Sequence, residues 1–156
     1  MPSSQDPSPG VHVPPPLVYA TALALGLWMS AWIPCRWLPA AVCRVAGWTL
    51  ISGALALVLP AFFGFFRAGT TVRPDRSASS LVTGGPYRLT RNPMYVSTTL
   101  LYAGVATLYQ AVWALPLLVV VLVYIDRRVI RLEERFLERR FGSDYAQYCA
   151  KVRRWI

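Results

Sequence analysis

The sequence predicts an all-α fold: a polytopic membrane protein of about four transmembrane helices, the last two a short hairpin, followed by a C-terminal amphipathic cytoplasmic helix. Three observations predict it. The 156 residues are 55% hydrophobic with a mean hydropathy of +0.41, above the ~45–50% apolar share of soluble domains. The apolar residues gather into long uncharged runs. Sixteen basic residues against seven acidic ones, a net charge of +9, lie beside those runs and not within them. This pattern excludes a soluble globular enzyme, a disordered chain and a disulfide-stapled secreted scaffold. The length suits one domain, 17–156, behind a tail 1–16.

Each element follows from the runs. Residues 1–16 hold six prolines and no Lys or Arg. A signal peptide needs a basic start, so this segment reads as a disordered tail. Leu17–Ile33 is uncharged and about 26 Å long as a helix, the short end of what crosses a bilayer. Val45–Phe66 is about 33 Å long and spans comfortably, with Gly53, Pro60 and Gly64 marking close packing or a bend. Met94–Ile125 has no charge over 32 residues, too long for one crossing. Splitting it near Gln110-Ala111 gives two helices of about 23 Å each, a hairpin that needs tilt, local thinning or protein contacts.

Charge sets the orientation. Fourteen of the 16 basic residues lie in 67–93 or beyond 126, and only Arg36 and Arg44 lie opposite. The positive-inside rule makes the 67–93 loop, the tail and both termini cytoplasmic, and the short termini without targeting signals suit a bacterial cytoplasmic membrane better than an organelle. In the tail, Val129, Leu132 and Phe136, with Ile130, Leu137 and Phe141, recur at helical spacing. Gly142 suits a helix end and Ser143 the start of a second short helix carrying Tyr145, Tyr148 and Val152. Periodicity leaves two readings open: a basic helix lying on anionic lipid, or a helix packed over a site.

Nucleic acid and metal are not expected partners. All but one of the basic residues are Arg, placed as topology and headgroup signals. Cys35, Cys43, Cys149 and the single His12 offer no zinc spacing.

Two segments carry chemistry-bearing residues. In the first, Gly84-Gly85-Pro86 signals a turn, and Asn92-Pro93 reads as N-cap and first residue of the third helix. That helix end attracts an anion, and Arg91 adds a full charge beside it. The plain reading is a capped helix with a topology-setting arginine. The second segment is Glu133-Glu134. Adjacent helical residues point about 100° apart, so one carboxylate can face inward while the other pairs with Arg131 or with the neighbours of Glu138. Ordinary surface ion pairs explain it equally well.

Taken together, the two segments resemble the integral membrane methyltransferases of the isoprenylcysteine carboxyl methyltransferase and phospholipid methyltransferase superfamily. The shared pattern is Gly85, Tyr87, Arg91-Asn92-Pro93, Tyr95, then Glu133-Glu134, Phe141-Gly142, Tyr145 and Tyr148. It covers about residues 45–154.

The resemblance implies S-adenosylmethionine (SAM) as methyl donor, held between 79–95 and 127–148 at the cytoplasmic membrane surface. Ser80, Leu81, Val82, Tyr87, Asn92, Pro93, Met94, Tyr95 and Glu133 match the family's contacts, with Arg91 and Glu134 alongside. The family's usual Arg-His-Pro is Arg-Asn-Pro here, and Asn92 cannot act as a general base. Val129 falls where the family places a substrate-binding arginine, leaving Arg128 or Arg131 to replace it. With no histidine in the implied site, the first expectation is carboxyl O-methylation of an isoprenylcysteine-like or other lipophilic acid. The alternatives are phospholipid amine N-methylation and a non-catalytic membrane binding or assembly protein on the same scaffold.

Overall fold

The computed structural model describes residues 13–36, 38–67 and 81–156. Ser80 and the arginines at 73 and 76 lie outside them, as does nearly all of the expected N-terminal tail. The described residues form helices and turns with no strand: α1 (Pro15–Trp32), α2 (Ala40–Arg67), a 3-10 turn (Gly85–Arg88), α3 (Pro93–Leu108), α4 (Ala114–Tyr124), a π-helical turn (Ile125–Ile130) and α5 (Arg131–Lys151).

Helix boundaries depart from the charge-bounded reading in instructive ways. Pro15 and Pro16 belong to the first turn of α1, not to the tail, because a proline there forfeits no intrahelical hydrogen bond. α2 begins five residues early and carries Arg44 inside it. A helix is not obliged to stop where charge begins; its end simply leaves the apolar layer. Ala40–Gly64 is long and apolar enough to cross a membrane by itself, and it is the one such helix among the described residues. The expected count of about four crossings is therefore not shown by helix length and hydropathy alone. α1, α3 and α4 have 18, 16 and 11 residues and fall short by length or hydropathy.

The expected hairpin break falls where the sequence placed it. Gln110 has φ +51°. The Ala111 N–H donates to the Ala106 carbonyl and the Gln110 N–H to the Thr107 carbonyl, a Schellman ending with glutamine in the seat usually given to glycine.

α3 is the central helix, packed against α2 on one side and α1 and α4 on the other. The approach to α2 is close because Gly47 and Gly104 face each other: a Cβ on Gly104 would lie 2.7 Å from the Ile51 side chain and 2.9 Å from the Gly47 carbonyl oxygen. Gly26 of α1 similarly meets Ala114, whose Cα would be 2.5 Å from an added Cβ. Small residues at crossings let apolar helices approach without a hydrophobic drive between them. Tyr102, 2% exposed, donates to the Ala114 carbonyl at 2.9 Å and stacks edge-on against Tyr19. Between α4 and α5, Ile125, Val129 and Ile130 are buried through the π turn.

Candidate functional site

The site is built where the 81–92 loop, the start of α3, the π turn and α5 converge with the C-terminal residues. The π turn sets its register. A regular α-helix returns to the same face every seven residues, two turns on, whereas the wider i→i+5 turn absorbs one extra residue. Eight residues after Asp126, Glu134 therefore comes round to face the same partner. Arg154 hydrogen-bonds both: its Nε and Nη2 reach the Glu134 carboxylate at 3.0 and 2.6 Å, and its Nη1 lies 3.4 Å from Asp126.

Glu133, one position earlier, turns toward α3, where the Tyr95 hydroxyl donates to it at 2.7 Å. The two glutamates thus occupy unlike surroundings. Glu134 is neutralised from both sides, by Arg154 and by Arg91 at 3.2 Å. Its partners are these two and not Arg131, correcting the expected local pairing; Arg131 is exposed. Glu133 has the neutral Tyr95 as its hydrogen-bond partner. Burial pushes its carboxyl up to about 7, with the neighbouring Glu134 charge adding to the rise and the Tyr95 hydrogen bond opposing it.

The loop is held by the chain's last residues. The Arg91 N–H donates to the Arg153 carbonyl at 2.9 Å, and the Arg154 carbonyl accepts from Thr90 Oγ1 and Asn92 Nδ2, each at 3.0 Å. Asn92 occupies the N-cap position of α3, but its side chain makes no capping bond; its Nδ2 donates to the Arg154 carbonyl. That corrects the capping role expected of it. Pro93 takes the first helical position as expected. Arg91, besides Glu134, places Nη1 2.7 Å from Cys149 Sγ, while its buried Nε has no partner.

Behind the loop, Ala61, Tyr87, Tyr145 and Tyr148 form a buried cluster flanked by Leu81, Val82 and Cys149. Tyr148 donates to the Tyr87 carbonyl at 2.7 Å. Burial raises Tyr87 and Tyr145 and pushes Tyr148 up to about 12, so all three stay neutral at physiological pH. Of the two open readings of α5, packing over the loop is the one observed. Gly142, with φ +50° and ψ −118°, kinks α5 at the expected helix end, and this kink lets the second half fold onto the loop.

Among the expected site residues, Arg91, Asn92, Tyr95, Glu133 and Glu134 take part in these contacts, Leu81, Val82 and Tyr87 belong to the cluster behind the loop, and Pro93 and Met94 open α3. Arg128 and Arg131 face outward, and Val129 is core at 1% exposure. Neither arginine is brought to the cluster. Sequence reasoning missed Thr90, Asp126, Cys149, Arg154 and Trp155. Its one available signal was the basic pair and tryptophan directly after α5. No group of three His, Cys, Asp or Glu that could hold a metal ion occurs among the described residues.

A family model described as phospholipid methyltransferase matches residues 40–144, about two thirds of the chain. The chain is also similar to the cobalt-zinc-cadmium resistance protein CzcN of Cupriavidus metallidurans, 33% identical over 77 residues. That match covers 49% of this chain and 35% of the relative, so the chain spans about a third of that protein's length.

Proposed function

The chain belongs to the phospholipid methyltransferase family, a family of membrane methyltransferases, and from that premise we propose that it transfers a methyl group from SAM to a lipophilic carboxylic acid at the membrane surface. The observation that carries the reading is the asymmetry of the glutamate pair. Among the described residues, Glu134 is neutralised by two arginines, while Glu133 has a neutral hydroxyl and no cation beside it. A partly buried carboxylate without a cation calls for a ligand that brings one. SAM brings an ammonium and a sulfonium for Glu133 and the tyrosine faces, and a carboxylate for the uncapped start of α3 beside Arg91.

When bound, SAM supplies an electrophilic methyl carbon on a positively charged sulfur. The acceptor oxygen's electron pair forms the new C–O bond as the S–CH3 bond breaks, and that bonding pair leaves on sulfur as a neutral thioether. The chain's own residues would hold the donor, exclude water and align the acceptor, the sources of rate available without proton transfer. Asp126 and Glu134 are committed to Arg154, and Glu133 to the donor, so a carboxylate acceptor, which needs no base, suits this site. The multi-pass arrangement belongs to the same proposal: α1, α3 and α4 cross as a packed group, with α2 against the other side of α3. A second reading, N-methylation of a phospholipid amine, is favoured by the family description and by Glu133 titrating near 7, where it could take an ammonium proton.

The test is transfer of radiolabelled methyl from SAM, in detergent–lipid micelles, to a prenylated cysteine acid or to phosphatidylethanolamine. Base-labile label released as methanol from the first acceptor is expected. Base-stable label in the second would select the amine reading. Failure of SAM to bind purified protein would remove both and leave the non-catalytic scaffold.

A further inference from the structure

Among the described residues, a dense polar network is made by residues 153–155, which no motif contributed. The Arg153 and Arg154 carbonyls accept three hydrogen bonds from Thr90, Arg91 and Asn92. The Arg154 guanidinium spans Glu134 and Asp126, and Trp155 Nε1 donates to the same Asp126 oxygen at 3.1 Å. One short segment thereby ties the π turn, the first turn of α5 and the loop entering α3. A bidentate guanidinium–carboxylate pair fixes direction as well as distance. With Glu134 at 18% side-chain exposure, losing its partner would leave a mostly buried carboxylate leaning on Arg91 alone.

We propose that Arg154 is the positioning residue of the site: by clasping Glu134 and Asp126 it locks the C-terminal segment onto the 90–92 loop, keeps Arg91 beside the start of α3, and leaves Glu133 as the carboxylate presented to a ligand. The positioning follows from contacts alone; its consequence for a methyl donor rests on the function proposed above. Arg154 acts through Glu134 and Asp126, which makes its role one of positioning.

Two readouts on detergent-purified full-length protein test this. Hydrogen exchange at the Arg91 amide, which donates to the Arg153 carbonyl, reports the clasp without any ligand. Exchange should accelerate on the order of tenfold in Arg154→Ala and in Glu134→Gln, with the double variant no faster than either single one, because the two residues work as one unit. Arg154→Lys, which keeps charge but loses the fork, should recover part of the protection. SAM affinity by calorimetry should fall in the same order across the variants, while Arg139→Ala, on the exposed face of α5, changes neither readout. An unchanged Arg91 amide in Arg154→Ala, or additive effects in the double variant, would overturn the clasp. If exchange follows the expected pattern but wild-type protein binds no SAM, the clasp stands and the methyl-donor reading falls. Normal exchange changes with SAM affinity untouched would overturn the positioning role.

Discussion

Glu133 and Glu134 are neighbours in sequence and opposites in circumstance, and a pH titration separates them. Glu133 titrates near 7 in the folded protein against 4.5 for an ordinary glutamate. Between those values the folded chain holds a proton that the unfolded chain has released. The stability linked to this group is therefore full below about pH 4.5 and is lost as pH rises toward 7. Ligand binding runs the other way, since a cation favours the ionised carboxylate. SAM affinity should fall by up to about tenfold per pH unit below 7 and level off above it, and Glu133→Gln should be both weaker and flat with pH. Calorimetry across pH 5.5–8 checks this; a wild-type profile as flat as the variant's would remove Glu133 from the donor site. The glutamate pair, Arg91 and Tyr95 were legible as residue types at the right spacing. Arg154 was not, because its importance comes from contacts 20 and 28 residues away that no local pattern encodes. Asn92 was legible in place but not in role: its amide bonds the C-terminal segment instead of capping its own helix.

At the scale of elements, the hairpin break at Gln110 could be read because too many uncharged residues stood in a row. The π turn could not. Ile125–Ile130 contains no glycine or proline, and its extra residue is imposed by burying Ile125, Val129 and Ile130 while Asp126 and Glu134 reach one guanidinium. The closeness of α2 to α3 was half legible: Gly53 and Gly64 were noticed, yet Gly47 and Gly104 make the crossing. That distinction predicts an unequal response to the same change. Gly104→Ala puts a methyl against the Gly47 backbone oxygen, which cannot rotate away, and should destabilise by about 1–3 kcal/mol. Gly53→Ala meets only the end of the Leu100 side chain at 3.9 Å and should be neutral, or stabilising by up to about 1 kcal/mol as alanine replaces glycine in a helix. Thermal unfolding of the two variants in detergent decides; equal midpoints would mean that the α2–α3 contact does not hold the bundle together.

For the whole molecule, the all-helical class followed from composition and the crossing number did not, because composition counts apolar residues and crossing depends on how helices are joined. α2 can cross alone. α1, at about 27 Å, and α3, at about 24 Å, fall just short of a bilayer's ~30 Å apolar layer, but they pack with α2 and α4 into one bundle whose outer surface exposes Trp28, Trp32, Trp48, Phe63, Val119 and Val120. Exposed apolar side chains in that number need lipid or a partner to cover them. One end of the bundle carries Trp28, Trp32, Trp113, Arg36 and Arg44, and the other carries the arginine-rich α5 and the site, an aromatic cluster opposite a basic one, which the positive-inside rule reads as membrane sidedness. Four crossings place both chain ends on the site's side and the α1–α2 connection on the far side; a lone α2 crossing would put the two ends on opposite sides. Cys35 makes this testable with the native sequence, being exposed in that connection, whereas Cys43 is buried. In intact cells a membrane-impermeant maleimide should label Cys35, while epitope tags at both ends stay protected until the membrane is permeabilised. An N-terminal tag accessible from outside would make the number of crossings odd and overturn the four-crossing reading; with α2 as the single crossing, the methyl acceptor would have to reach the site from a surface-bound helical layer and not from between membrane helices.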